Sequence, residues 1–522
     1  MLRGKIHLHR QVASAHATCV RADAMSAETR REIITARALP IGAALVVLVA
    51  LVACSSGPRT WAGPGPDASM GEGPSGPSEV PDASANMVDA GYRPDVAVSP
   101  GGDSGKPSPE AGRPCVPAEG GVSNTAGPLM IDSLDCDVTA HEVDAFLTVV
   151  SATAIPTSQW PNNGHNYLAD GAGGTTLEAV NRLYEVTTDL PNLAAQHAKL
   201  LDLAIRWSDT WLSHRNDLPL GENRVMWTGK VEPVWPPDPP PSTYAACEVG
   251  ETVGILAYTA LNILRTPAIA NTTVPDGNPN GYGATYGARA TTYVAMLQQS
   301  MDLFFDPNFL DLTTLTIQHP NSAAYNAAPK NNVNAWNREM MFLHAYQTLA
   351  QIHALLMDNP VKQGHYATLT RNIVNLFVKN AQPRTAPDGA AIYDWGYGNS
   401  GDEMGNLTQE QLNIHAEYDI WGLARAYEAG FTDATSQEMA LYAATVVHEI
   451  AISPTAYAEY VDRCCTTATL SFLPAGFMLL TPFDPGIYRP AATADIKSGT
   501  QKNSPSLTVG ILWAKHALAK GP

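Results

Sequence analysis

Apolar residues recur every three or four positions along most of the chain after about residue 125. This spacing is typical of amphipathic helices, and clusters of Pro, Gly and Asn separate the periodic stretches. The pattern predicts ten helices, near residues 140–152, 175–186, 193–213, 244–265, 283–304, 334–357, 361–380, 411–429, 435–452 and 505–519. Strand-like alternation is rare, so the sequence predicts an all-α domain.

The ends of two helices carry local signals. Thr175, Thr176 and Glu178 predict a capped start for the second helix, and Gly430 predicts the end of the eighth. So many helices within 125–522 exceed what a simple bundle needs. We expect an incomplete (α/α) toroid, in which helical hairpins form a ring and loops gather at one end of a central funnel.

The N-terminal region predicts export. Residues 39–53 form an uncharged apolar run that follows several arginines and is too short to span a bilayer comfortably, as in a signal peptide. The run ends in Leu51-Val52-Ala53-Cys54, which resembles the lipid-attachment site of bacterial lipoproteins. We expect residues 1–53 to be the signal, with Met25 as an alternative start, and Cys54 to be lipidated. The alternative is a core segment that happens to end in cysteine.

Residues 54–124 are dominated by Gly, Pro, Ser, Ala and Asp and show almost no apolar periodicity. Such a composition cannot bury enough surface to offset chain entropy. The sequence therefore predicts a disordered tether that separates a membrane anchor from the helical domain over 125–522.

Five cysteines follow Cys54 in the sequence, namely Cys115, Cys136, Cys247, Cys464 and Cys465. An exported protein can form disulfides, and an odd number leaves at least one thiol without a partner in its own chain. Cys115 with Cys136 is the easiest local bridge. Cys247 is a candidate to pair with Cys464 or Cys465.

The chain carries 32 Lys+Arg against 50 Asp+Glu, a formal charge of −18. This balance argues against a nucleic-acid partner and against a broad basic patch for anionic lipid, so membrane contact is expected through the anchor alone. No cofactor or metal is predicted, since zinc-site spacing and nucleotide motifs are not found. A calcium-like loop beginning at Asp276 has Gly287 where a bidentate Glu is required.

A helix near 411–429 carries candidate catalytic residues. His415, Tyr418 and Asp419 stand at i, i+3 and i+4 and would share one helical face. Asp419 would then orient the imidazole, with Tyr418 beside it as a proton donor. The alternative is a packing tyrosine, a surface aspartate and a helix-end histidine.

Aromatic side chains in two loops are candidates for sugar binding. Tyr393, Trp395 and Tyr397 lie within five positions, and Trp227 and Lys230 lie in a second loop. Sugar C–H faces stack on aromatic rings, while the sugar hydroxyl groups need polar partners. The alternative is that the aromatic residues form lids over the core.

The helix start near 334 carries Asn334 and Arg338, four positions apart. The face that they share is polar only at its N-terminal end, as expected for a helix that borders a funnel. Either residue could reach a bound anion. An ordinary salt bridge is the alternative for Arg338.

The order of these segments resembles that of α/α-toroid polysaccharide lyases and related glycan-active proteins. The resemblance covers about 220–450 and rests on NAWNREMMFLHAYQTLAQIHAL, then IYDWGYGN, then NIHAEYDIWGLARAYEAG. In such proteins an Asn-Arg helix start, a W-x-Y loop and a His-bearing helix converge at the funnel. The sequence departs from the pattern at one position, because Gln411 stands where an acidic residue is expected and Glu410 is displaced by one.

The resemblance implies β-elimination on a uronic-acid unit. Asn334 and Arg338 would neutralise the substrate carboxylate, His415 or Tyr418 would be the base, and Tyr397 would return a proton to the leaving oxygen.

Two alternatives to a lyase remain. A glycosidase would pair Glu251 or Asp394 with Asp419 across the scissile bond. A non-catalytic surface lipoprotein would bind glycan through the same funnel.

Overall fold

The structure is a computed structural model that describes residues 122–125, 127–160, 166–325, 334–398, 409–463 and 469–521. The predicted signal peptide, Cys54 and nearly all of the predicted tether lie outside the described residues. The described residues belong to one compact unit of the chain, Asp103–Pro522.

Helices dominate the described residues. The α-helices are α1 (Ala140–Ala152), α2 (Ala172–Thr188), α3 (Ala194–Ser213), α4 (Val249–Leu264), α5 (Tyr286–Ser300), α6 (Asp306–Phe309), α7 (Trp336–Leu356), α8 (Pro360–Asn380), α9 (Glu417–Glu428), α10 (Ser436–Thr445), α11 (Tyr488–Ser498) and α12 (Pro505–Lys520). Wide π-helical turns follow α5, precede α9 and follow α10, at Met301–Phe305, Leu412–Ala416 and Val446–Ile450. The mostly helical class is confirmed, and each of the ten predicted helices is present.

The strands are short and lie between helices. They are β1 (Leu310–Asp311), β2 (Thr316–Ile317), β3 (Gln382–Thr385), β4 (Ala391–Asp394), β5 (Ala451–Ser453), β6 (Ala456–Ala458) and β7 (Thr469–Leu470). They pair antiparallel as β1-β2, β3-β4 and β5-β6-β7. The β3-β4 hairpin leads directly into the aromatic segment that ends at Tyr397.

One predicted helix end is confirmed and one predicted start is wrong. Gly430 has a positive φ of 72° just after α9, as expected of a helix stop. The second helix begins earlier than predicted, at Ala172, with Gly171 as its N-cap and no side-chain cap. Thr176 donates its hydroxyl back to the Ala172 carbonyl, and Glu178 is used elsewhere, in an ion pair with Arg425.

Six elements contact one another in cyclic order. Helix α2 packs against α4, α4 against α7, α7 against α9, and α9 against the 3₁₀ turn Ala475–Leu480. That turn packs against α12, and α12 returns to α2. Helices α3, α5 and α8 pack on α2, α4 and α7 as the second members of hairpins.

Glycine allows two of these helix pairs to approach closely. A Cβ at Gly254 of α4 would lie 2.5 Å from the ring of His344 in α7, and a Cβ at Gly422 of α9 would lie 2.6 Å from the sulfur of Met340. Side chains larger than hydrogen would force α4 or α9 away from α7. The two contacts therefore fix the spacing of three neighbouring helices.

None of the helices in the described ranges has both the length and the apolar character needed to cross a bilayer.

Candidate functional site

The beginning of α7 is joined to the aromatic loop and to the predicted catalytic histidine. The backbone N–H of Trp336 donates to the carbonyl of Tyr397 at 3.0 Å. The ring of Tyr397 lies 4.9 Å from the imidazole of His415, measured between ring centroids. The structure therefore brings three sequence segments together that the chain separates by as many as eighty residues.

A second set of contacts joins the start of α7 to the start of α4. The Cys247 thiol donates to Oδ1 of Asn334 at 3.2 Å, and Nε of Arg338 lies 2.9 Å from Oε1 of Glu248. Asn334 is buried, and its Nδ2 has no hydrogen-bond partner, whereas the side chain of Arg338 is 26% exposed. Arg338 is therefore the member of the predicted Asn-Arg pair that solvent can reach.

The cysteines give two results. Cys247 carries a thiol, so the predicted pairing of Cys247 with Cys464 or Cys465 is wrong. Cys136 is disulfide-bonded, whereas Cys115, Cys464 and Cys465 lie outside the described residues.

Asp170 joins this region from the segment before α2. It is half-buried, and burial followed by the charge of Glu248 raises its pKa to about 7, with Arg338 acting in the opposite direction. A carboxyl group that titrates near neutrality is suited to proton transfer. The sequence patterns did not single out Asp170 or Glu248. Asp170 stands five residues before the predicted helix 175–186 and Glu248 lies inside the predicted helix 244–265, and neither position carries a distinguishing signal.

Tyr418 is a buried proton donor without an acceptor. Its side chain is 2% exposed, and its hydroxyl has no hydrogen-bond partner. Burial, and then the charges of Asp170 and Glu251, raise the pKa of Tyr418 well above its ordinary value. Tyr418 therefore keeps its proton at neutral pH, which suits a donor better than a base.

Asp419 is bonded to the aromatic loop. It is fully buried, and its Oδ2 accepts a hydrogen bond from Nε1 of Trp395 at 3.0 Å. Trp395 is only 4% exposed and packs edge-on against Phe377. The carboxylate that faces Nδ1 of His415 is instead Glu410, at 3.7 Å.

Glu251 lies deeper, between α4, α7 and α9. Its Oε1 is 2.9 Å from Nδ1 of His344 and 3.6 Å from Nη1 of Arg425. His344 and Arg425 also line a cavity of about 70 Å³ near the C-terminal halves of these helices, with Arg182 and Gln347. Glu251 is therefore part of a buried ionic network inside the helices.

The remaining predicted binding residues are spread out. Tyr393 is half-buried in β4, with its ring 5.1 Å from that of Tyr442. Trp227 packs on Tyr325, and its Nε1 donates to the carbonyl of Ala245 at 3.0 Å. Lys230 is exposed in the turn that joins Val225 and Val231. No described contact joins Tyr393 or Lys230 to His415.

Three buried carboxyl groups hold their protons to high pH. Burial raises the pKa of Glu251, Glu339 and Asp495 to about 8. In the unfolded chain such groups titrate near pH 4. Between about pH 4 and pH 8 the folded state therefore binds more protons than the unfolded state, so a rise in pH lowers the free energy of unfolding.

We expect the melting temperature to fall as pH is raised from about 7 to about 8.5. Histidines of the unfolded chain are largely neutral in this range, and burial lowers the pKa of His344 in the folded state, so His344 does not oppose the trend. Glu339→Gln should flatten the slope, because the amide that replaces the carboxyl group has no proton to release in this range. Thermal melts of both proteins across this range check the prediction, and a melting temperature that is flat or rising for the wild type would contradict it.

No group of three or more histidine, cysteine or acidic side chains among the described residues is arranged to hold a metal ion. No protein-family model, curated protein or solved structure matches the chain.

Proposed function

We propose that the chain is a surface-anchored polysaccharide lyase that cleaves a uronic-acid-containing glycan by β-elimination on an incomplete (α/α) toroid. The cyclic contact order of α2, α4, α7, α9, the 3₁₀ turn and α12 supports the toroid. Helices α3, α5 and α8 would be outer helices of its hairpins.

The observation that carries the proposal is the convergence of polar residues where consecutive inner helices begin. Asp170 precedes α2, Glu248 precedes α4, Asn334 precedes α7, and His415 precedes α9. The contacts of Arg338 with Glu248 and of Tyr397 with His415 join these starts. Helix N-termini carry partial positive charge and favour a bound anion, which suits the carboxylate of a uronic acid.

The proposed chemistry begins with removal of the proton beside the substrate carboxylate. Negative charge then develops on the carboxylate, where Arg338 and the N-terminus of α7 would stabilise it. The electron pair of the broken C–H bond forms a carbon–carbon double bond, and the bond to the leaving oxygen breaks. The leaving oxygen would take a proton from Tyr397, which has its ring beside His415 and is 7% exposed, more than Trp395 or Tyr418.

The structure favours His415 over Tyr418 as the base. His415 has a side chain that is 28% exposed, so a substrate can reach its imidazole. Tyr418 is buried, and its raised pKa keeps it protonated. Trp395 and Asp419, both buried, would position the loop that carries Tyr397 instead of contacting sugar.

A glycoside hydrolase is the second candidate, and Asp170 is the observation that favours it. Glycosidases need one protonated and one ionised carboxyl group. Asp170, with a pKa of about 7, would be the protonated member, and Glu248 is the second carboxyl group beside it. The pairs proposed from sequence fit less well, since Asp394 lies 2.5 Å from Nη1 of Arg384 and Glu251 is buried in the ionic network.

The purified chain should be incubated with a panel of uronic-acid and neutral polysaccharides. A lyase releases products with the ultraviolet absorbance of an unsaturated uronic acid. A hydrolase releases reducing ends without that absorbance. Binding with neither product would support a glycan-binding protein and contradict both enzymes.

Membrane anchoring is part of the proposal and gives a separate prediction. Cys54→Ala should abolish incorporation of a radiolabelled fatty acid and release the protein from the membrane fraction, because the thiol is the proposed lipid acceptor. Cys247→Ala, which removes a buried thiol, is the matched control and should keep the label. Unchanged labelling of the Cys54→Ala protein would contradict the anchor.

A further inference from the structure

Glu410 is a buried carboxyl group beside the proposed base. It has no exposed surface, and neither of its carboxyl oxygens accepts a hydrogen bond of ordinary length. Its Oε1 lies 3.7 Å from Nδ1 of His415. Burying a carboxyl group without hydrogen-bond donors is costly, so its retention here needs an explanation.

The backbone explains why Glu410 points inward. The segment before α9 is extended and pairs with residues 459–461. The N–H of Val461 donates to the carbonyl of Glu410 at 3.0 Å, and the N–H of Leu412 donates to the carbonyl of Glu459 at 2.8 Å. Side chains alternate along an extended segment, so Glu410 and Leu412 are buried while Gln411 is not. The acidic side chain therefore reaches His415 from one position earlier than the sequence pattern places it.

Asp419 is the second carboxyl group in this place. It is fully buried and its Oδ1 has no hydrogen-bond partner, while Oδ2 accepts from Trp395. Burial raises the pKa of Glu410 and of Asp419 well above the ordinary values, and the charge of Asp419 raises that of Glu410 further. Each of the two carboxyl groups is therefore easier to protonate than an exposed one, and a charge on Asp419 disfavours a charge on Glu410.

We infer that Glu410 is a positioning residue that holds His415 in the Nδ1–H tautomer. The lone pair of Nε2, on the side of the ring away from Glu410, is then the one that the proposed base would use. The role in catalysis rests on the proposed function, whereas the tautomer is a property of the protein without substrate.

The test is nitrogen NMR of the full chain labelled with ring-¹⁵N histidine, at a pH of about 8 where imidazole is neutral. The His415 signals are those lost in His415→Gln. The expected result is a protonated Nδ1 and an unprotonated Nε2 in the wild type, and a shift toward the Nε2–H tautomer in Glu410→Gln. Glu410→Asp keeps a carboxyl group and should retain the Nδ1–H tautomer.

Glu417→Gln is the matched control. Glu417 accepts a hydrogen bond from the N–H of Gly476 at 3.1 Å, so its carboxyl group is directed at a different element. Its substitution should leave the His415 tautomer unchanged. A wild-type His415 protonated at Nε2 would overturn the inference without any variant being needed, and so would an unchanged tautomer in folded Glu410→Gln.

Activity gives the second readout once a substrate is found. Glu410→Gln should lower kcat on the order of 10- to 100-fold with little change in KM, the range for groups that orient a functional histidine. If NMR shows the expected tautomers but no glycan is cleaved, the proposed function is contradicted, and the role of Glu410 in setting the tautomer of His415 is kept. If lyase activity is lost in His415→Ala but kept in Glu410→Gln, the positioning role of Glu410 in catalysis is overturned, and the proposed lyase function is kept.

Discussion

His415→Ala should lower turnover by about two to four orders of magnitude, the usual loss when a general base is removed. The melting temperature and far-ultraviolet circular dichroism should stay close to those of the wild type, because the side chain is 28% exposed and borders the core without filling it. Steady-state kinetics and thermal melts on the same samples check both statements.

His448→Ala is the matched control for this substitution. His448 lies in another π-helical turn with a side chain that is 33% exposed, and its Nδ1 is 2.7 Å from a carboxyl oxygen of Asp388. It should keep full activity. Full activity in His415→Ala would instead exclude His415 as the base, and the loop from Tyr393 to Tyr397 would be the next place to search.

Two further substitutions separate the roles around His415. Asp419→Asn should reduce activity less than His415→Ala, because Asp419 contacts Trp395 and not the substrate. Arg338→Ala should raise KM if the carboxylate is held in the ground state, and lower kcat if it is held mainly in the transition state.

Lys515→Ala should lower the free energy of unfolding by about 3–5 kcal/mol, the usual cost of breaking a buried ion pair from one side. Lys515 of α12 lies 2.6 Å and 2.8 Å from the two carboxyl oxygens of Glu142, and both side chains are almost fully buried. The carboxyl group of Glu142 also accepts hydrogen bonds from the backbone N–H groups of Asp132 and Thr139. The substitution therefore leaves an uncompensated charge where the first and last helices meet.

Chemical denaturation of Lys515→Ala and Lys520→Ala measures this difference. Lys520 pairs with Asp189 at the surface, with both side chains about half exposed. Its loss should cost between about 0 and 1 kcal/mol. A Lys515→Ala protein that loses no more stability than Lys520→Ala would show that the buried pair does not stabilise the fold.

The sequence predicted helices well where the stretch of regularly spaced apolar residues was long. The prediction for 140–152 matches α1 at both ends, and that for 361–380 differs from α8 by one residue. It missed α11 (Tyr488–Ser498), which has only eleven residues and five buried side chains. The start of α2 was misplaced because Thr175 and Thr176 lie inside the helix, where packing outweighs local capping preference.

The candidate site was predicted in part. Asn334, Arg338, Tyr397 and His415 were singled out by residue type, and the structure brings them close together. Asp170 was missed because an aspartate before a glycine-rich helix start has no distinguishing pattern. Its raised pKa comes first from burial and then from the charge of Glu248, which is far away in the sequence.

By itself the sequence determined the helical class, most helix positions and the residue types available for chemistry, because periodic burial and side-chain identity are local properties of the chain. Only the tertiary structure decided which carboxyl group faces His415. Spacing on a single helix favoured Asp419, but an extended segment turns Glu410 inward and Trp395 binds Asp419. That choice depends on backbone pairing with residues 459–461, about fifty positions away, and a helical period carries no information about such a partner.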